Sequence, residues 1–250
     1  MQRHPQKEKT VRNRRNTAVV SGIPGTLGVD YQAVTDRSGR VVSYEALIRA
    51  RNLDLPPSIF LPMIRRQEEV HTMTRAVIEL VCRDIEETKS TFPIHVNIPF
   101  THLTDAMFRD IMRVLEQFRI PHNLFAVEIL ENPRFVWTKE ALRIAHALRE
   151  HGVHVYLDDY GRHRWQEDAI ALFQFDAVKI DQSLIRRKPL DLGITLRQLE
   201  MCGISTIIIE GAEDTHDLET IDRAMQQLES ATVYVQGFIF SVPTEDALRH

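Results

Sequence analysis

YQAVTDRSGRVVSYEAL, residues 31–47, holds two short β-type runs separated only by TDRSGR, in which Asp36, Ser38 and Gly39 are turn formers. So short a connection predicts a hairpin, and hence an antiparallel pair, at Tyr31–Val34 and Val41–Leu47. Beyond it the pattern changes. Six further β-type runs follow at Ile94–Asn97, Phe125–Leu130, His154–Asp158, Ala177–Asp181, Thr206–Glu210 and Thr232–Phe238. Amphipathic stretches such as MFRDIMRVLEQF and TKEALRIAHALREHG lie between them, with apolar residues three and four apart. That alternation predicts parallel β/α units, and 250 residues suit the closing of one barrel. The expected fold is therefore α/β, a (β/α)₈ TIM-like barrel with one antiparallel strand near the N-terminus. Neither a GxGxxG after a strand nor a GxxxxGK[ST] loop is present, which disfavours the open nucleotide-binding sheets.

Apolar residues are 43% of the chain and charged residues 26%, ordinary values for a globular protein with a large core. The formal charge of −4 supplies no basic field for nucleic acid, which is not an expected partner. Cys82 and Cys202 stand far apart and form no Cys-x-x-Cys pair, so a reducing cytoplasm is expected. Residues 1–18 read as a flexible basic leader, with Arg3, Lys7, Lys9, Arg12, Arg14 and Arg15, and residues 19–250 as the barrel domain. The leader lacks the aromatic interleaving of a nucleic-acid-binding arm. Pro24 and Gly22, Gly25 and Gly28 interrupt the mildly apolar run after it, so neither a signal peptide nor a membrane span is expected.

Acids recur at the downstream ends of the β-type runs: Glu128 and Glu131 in FAVEILE, Asp158 and Asp159 in HVYLDD, Asp181 in AVKID, and Glu210 in TIIIE. A parallel barrel brings those ends to one mouth, which is how such folds build metal sites. Taken singly, a strand-end acid is more often a helix cap or a surface ion-pair partner. The eleven histidines show no metal-binding spacing and read as surface or packing residues, His95 and His102 included.

These residues resemble those of the EAL domains, bacterial phosphodiesterases for cyclic di-GMP. YEALIRAR carries the naming triad at Glu45, Ala46 and Leu47. YQAV at 31, FLP at 60, HVNI at 94, VEILE at 127, LDDYG at 157, VKID at 178, IEGAED at 209 and VQGFIFSVP at 235 follow in the family order. The likeness runs from about residue 27 to 246 and implies a stand-alone EAL barrel of the reversed-strand type. It also implies hydrolysis of cyclic di-GMP to linear pGpG.

A phosphodiester is a poor electrophile, so its hydrolysis calls for cations on its oxygens and an activated water. Acids with one Asn suit two hard divalent ions, Mg²⁺ or Mn²⁺. The resemblance makes Glu45, Asn97, Glu128 and Asp158 ligands of one ion, with Asp158 and Asp159 serving the second. Adjacent strand residues point to opposite faces, so both Asp reach the mouth only where the strand is ending, as Gly161 suggests. By the same resemblance Glu45, Lys179 and Glu210 are catalytic. Gln32, Leu47, Arg49, Asp181, Glu213 and Gln236 contact substrate, and Glu131 anchors a loop. Whether Lys179 orients the water or takes its proton stays open, because an ammonium must first lose its own proton.

The sequence departs from the family after Asp159. The usual small, Gly-rich loop is replaced by YGRHRWQED, with Arg162, His163, Trp165 and Gln166, and Leu130 stands where Thr is usual. Two readings follow: an active phosphodiesterase, or a weak or inactive relative that captures the dinucleotide or a regulatory protein partner. A homodimer is expected by resemblance.

Overall fold

A computed structural model describes residues 16–249 apart from 24, 54, 131–137, 162–165 and 187–188, with the backbone alone at 130, 166–168 and 189. The basic side chains of the leader, Glu131 and the substituted loop at 162–165 lie outside the described residues.

The nine strands are β1 (Ala18–Val19), β2 (Thr26–Thr35), β3 (Val41–Ala50), β4 (Ile94–Pro99), β5 (Phe125–Leu130), β6 (His154–Tyr160), β7 (Ala177–Ile180), β8 (Thr206–Glu210) and β9 (Thr232–Gln236). They hydrogen-bond in sequence order, and β2 closes the ring on β9. The eight strands β2–β9 thus form the expected barrel. β2 is antiparallel to both its neighbours, and β3–β9 run parallel. The hairpin turn forms as its residues dictate. Asp36 Oδ1 accepts the N–H groups of Ser38 and Arg40, and Gly39 takes a φ of 84°.

Closure is narrow. β2 meets β9 only at Val34↔Gln236 and Thr35↔Val235, while β1 pairs with Thr26 and Leu27 at the far end. Between them Tyr31 and Thr244 exchange backbone hydrogen bonds, so the C-terminal segment covers the rest of that edge.

The helices are α1 (Pro57–Phe60), α2 (Gln67–Thr88), α3 (Asp105–Phe118), α4 (Lys139–Glu150), α5 (Gln166–Leu172), α6 (Ser183–Arg186), α7 (Pro189–Met201) and α8 (Thr215–Met225). Thr104, Thr138 and Asp214 cap α3, α4 and α8 by accepting a backbone N–H of the first turn. On α2, Met73, Val77, Leu80, Val81 and Ile85 recur at helical spacing and are buried in the main core between helices and sheet. Each such side chain is worth roughly 1.5–3 kcal/mol removed from water.

A second, smaller cluster of Val34, Ala177 and Ile208, packed by Tyr156 and Tyr234, occupies the inward face of the strands. Each of its strand residues lies two positions from a polar group nearer the mouth. Cys82 is buried and Cys202 exposed, and both are free. Among the described residues, no helix is long and apolar enough to cross a membrane.

Candidate active site at the barrel mouth

Period-two alternation and parallel register bring one polar side chain from every barrel strand to the same tier. They are Gln32 (β2), Glu45 (β3), Asn97 (β4), Glu128 (β5), Asp158 (β6), Lys179 (β7), Glu210 (β8) and Gln236 (β9). Gln32 pairs with Glu45, Asn97 with Glu128, and Glu210 with Gln236 across neighbouring strands.

Lys179 is the hub and is fully buried. Its Nζ lies 2.8 Å from Glu210 Oε1, 3.0 Å from Glu45 Oε2, 3.1 Å from Glu128 Oε2 and 3.5 Å from Asp158 Oδ1. Burial opposes its charge, yet the surrounding Asp158, Glu128, Glu210 and Glu45 hold the ammonium well above its usual pKa. A lysine so held donates hydrogen bonds to the carboxylates around it.

The four acids do not fare alike. Glu45 is saturated: Asn97 Nδ2 donates to Oε1 at 2.7 Å, and Gln236 Nε2 and Lys179 donate to Oε2 at 2.5 and 3.0 Å. Burial alone would raise its pKa, but Lys179 and the two amides outweigh that and lower it to about 2. One ammonium cannot serve the rest equally. Burial and mutual repulsion raise Asp158 to about 6, Glu210 to about 8 and Glu128 well above the carboxylate range.

Asp159 joins Asp158 at the mouth through a bulge. Leu157 pairs with Val178 but Tyr160 with Ile180, so β6 carries one extra residue, and Asp159 takes a left-handed φ of 54°. This corrects the reading that the strand ends at Asp158: it continues to Tyr160, and the bulge turns the second acid inward. Gly161 does mark the end, at φ 101°, where a Cβ would collide with Leu184. Ligand atoms of Asp158, Asp159 and Glu210 lie within 4.8 Å of one another.

The set fits a hard divalent cation. Asn97 turns its NH₂ to Glu45, which leaves Oδ1 buried with no hydrogen-bond partner among the described residues. An amide oxygen without a donor, beside carboxylates that outnumber the one ammonium, is the donor chemistry that Mg²⁺ or Mn²⁺ takes.

β2 and β3 have ten residues each and rise past the tier as a wall. On it Leu47 and Arg49 follow Glu45 at period two. Arg49 Nε donates to Asp30 Oδ2 at 2.8 Å, and Arg51 lies 2.7 Å from Asp30 Oδ1. Asp181 is buried and accepts the Ser183 N–H at the start of α6. Glu213 is paired with Arg186 at 2.9 Å on the surface.

Two residues escaped the sequence reading. Asp30, two positions before Gln32, organises the rim arginines. His95, read as a surface or packing residue, is fully buried, with Nδ1 2.9 Å from Glu128 Oε1. The signal for it was its place two residues before Asn97, on the same strand face.

The model of the EAL domain matches residues 17–243. The chain belongs to the EAL domain family. Among its relatives, Cyclic di-GMP phosphodiesterase PdeR of Escherichia coli K12 is 27% identical over 229 residues, covering 87% of this chain and 34% of PdeR. Uncharacterized protein Rv1354c of Mycobacterium tuberculosis H37Rv is 29% identical over 232 residues, covering 86% of this chain and 36% of that protein. The chain thus spans about a third of the length of these curated relatives. Among solved structures, the manganese/cyclic di-GMP complex of Klebsiella pneumoniae BlrP1 superposes with a TM-score of 0.75 at 21% identity, over 91% of this chain and 58% of that one. The family and its named phosphodiesterases set hydrolysis of cyclic di-GMP as the family-level chemistry.

Proposed function

We propose that this EAL domain hydrolyses cyclic di-GMP to linear pGpG. The observation that carries the reading is the tier of eight strand residues at one mouth, with four carboxylates, three of them buried, sharing the Lys179 ammonium. Glu45, Asn97, Glu128, Asp158 and Asp159 would hold two Mg²⁺ or Mn²⁺ ions. When bound, these supply charge neutralisation at the phosphate and an acidified water. The manganese and dinucleotide in the BlrP1 complex support that choice of partner and ion.

The chain's own groups then divide the work. Lys179, held protonated, orients the attacking oxygen by donating to it, and Glu210 beside it completes the charged rim of the reacting centre. Gln236 donates to both Glu45 and Gln32, so it holds the acid and links it to the mouth wall. Arg49, steadied by Asp30, offers a guanidinium to a phosphate, with Leu47 as the apolar neighbour. Asp181 and Glu213 complete the substrate contacts that the resemblance implies, and the same resemblance assigns Glu131 as a loop anchor. We also infer a homodimer in the cytoplasm. Leu190, Ile194 and Met201 support the pairing, since they lie on one exposed stripe of α7.

Incubation with cyclic di-GMP and Mg²⁺ or Mn²⁺, followed by chromatography, tests the reading. pGpG is expected from the parent and not from Glu45→Ala. Binding without product would overturn hydrolysis in favour of a binding module, the reading that the YGRHRWQED sequence favours.

A further inference from the structure

We infer that His95 is a positioning residue of the mouth: it fixes one oxygen of Glu128 through Nδ1, so that the other is presented toward Lys179 and the cation site. What Glu128 is presented to rests on the hydrolytic reading above; the hold itself rests on geometry.

His95 and Asn97 share the inward face of β4, one tier apart, and Glu128 stands opposite Asn97 in register. Both His95 and Glu128 are fully buried. Glu128 Oε1 lies 2.9 Å from His95 Nδ1, and Oε2 lies 3.1 Å from Lys179 Nζ, so its two oxygens are gripped from different sides. A free glutamate side chain samples several rotamers, and a carboxylate held at both oxygens has already lost that freedom.

The contact also assigns the histidine proton. Glu128 must be ionised to hold a cation, and an ionised carboxylate only accepts hydrogen bonds, so in that state Nδ1 carries the hydrogen and Nε2 is the bare nitrogen. Nε2 is buried and has no partner among the described residues. That agrees with the assignment, because a buried N–H without an acceptor is the rarer case. The imidazole in turn is braced by Tyr156, whose ring meets it edge-on at 4.7 Å between centroids and 74° between planes. Tyr156 lies two residues before Asp158 on β6, so the brace is part of the strand that supplies the Asp pair. Hydrogen bonds of this kind behind a metal ligand are commonly worth about 10–100-fold in metal affinity. His95 touches neither substrate nor cation and acts through Glu128.

The test is Mn²⁺ titration of the metal-free full chain, read by the loss of the free-ion electron paramagnetic resonance signal. His95→Phe keeps a ring against Tyr156 and removes the donor, whereas His95→Asn keeps an N–H close to the position of Nδ1. His95→Phe is expected to bind Mn²⁺ about 10–100-fold more weakly than the parent, and His95→Asn within about three-fold of it. Long-range ¹H–¹⁵N spectra of the Mg²⁺-loaded parent should show His95 as the neutral Nδ1–H tautomer, a readout that stands even if His95→Phe fails to fold. Parental Mn²⁺ affinity in a folded His95→Phe, or an Nε2–H tautomer, overturns the inference. A parent that binds no Mn²⁺ overturns it together with the hydrolytic reading. A parent that binds Mn²⁺, is weakened by His95→Phe and yields no pGpG leaves His95 in place and removes only the hydrolysis.

Discussion

The two ends of the barrel use carboxylates in opposite ways. At the N-terminal end Glu200 and Asp176 each have their donors. Glu200, on α7, accepts the backbone N–H groups of Glu229, Ser230 and Ala231 as well as Arg197, and these hold its pKa down at about 2. Asp176, just before β7, accepts from Arg149 and from the Val155 N–H at the start of β6. These acids fasten helices to strand starts. At the C-terminal mouth four acids share one ammonium, and three of them are pushed up. A satisfied carboxylate stabilises the fold, whereas an unsatisfied group of them is a site awaiting charge.

The sharpest way to break this comparison is to remove the hub. Lys179→Met should lower the rate of pGpG formation by at least about 100-fold. A variant that keeps more than a tenth of the parental rate would show that the ammonium is only structural.

A third carboxylate separates burial from crowding. Asp84, on α2, is buried against Tyr31, whose hydroxyl donates to it at 2.6 Å, and burial raises its pKa to about 6. The unfolded chain releases this proton near the ordinary pKa of 3.8, so between there and about 6 the native state binds more protons. The part of the stability that Asp84 contributes therefore falls as pH rises through that window, by roughly 3 kcal/mol, and is level above it. Chemical denaturation at several pH values should show a slope through that window that is shallower in Asp84→Asn than in the parent by this amount, the raised acids of the mouth supplying what is left. An unchanged slope would place the proton elsewhere. A raised acid is thus no site by itself, since among the described residues the Asp84 carboxyl has one donor, Tyr31, and no second acid as a hydrogen-bond partner.

Cation binding should discriminate between the two ends as well. Mn²⁺ at about 100 times its Kd should stabilise the parent by about 2.7 kcal/mol, visible as a rise in melting temperature. Glu45→Ala should lose most of that rise, and Glu200→Gln should keep it. The smallest effect belongs to Glu200→Gln itself, which should lower the melting temperature while leaving turnover within about two-fold of the parent. A turnover defect there would show that the two ends are coupled.

Much of this was legible in the residues. The reversed first strand follows from TDRSGR, whose Asp36 and Gly39 turn as expected. Glu45, Asn97, Glu128, Asp158, Lys179, Glu210 and Gln236 were all singled out before any geometry, and they form one network. The bulge at Asp159 was not legible, because one extra residue in β6 shows only against the spacing of β7. His95 was missed for a related reason. HVNI alternates polar and apolar residues, but whether His95 merely packs or partners an acid depends on Glu128 of the neighbouring strand, 2.9 Å from its Nδ1.

The sequence by itself determined the fold class, the family and the identity of nearly every group at the mouth, since those depend on local turn chemistry, periodicity and motif order. Tertiary structure alone decided how the charges are shared: that Lys179 serves four acids, that Glu45 is held down while Glu128, Asp158 and Glu210 are pushed up, and that Asp30 pairs with the rim arginines and His95 with Glu128. Charge sharing depends on distances between strands far apart in sequence, and barrel closure sets those distances.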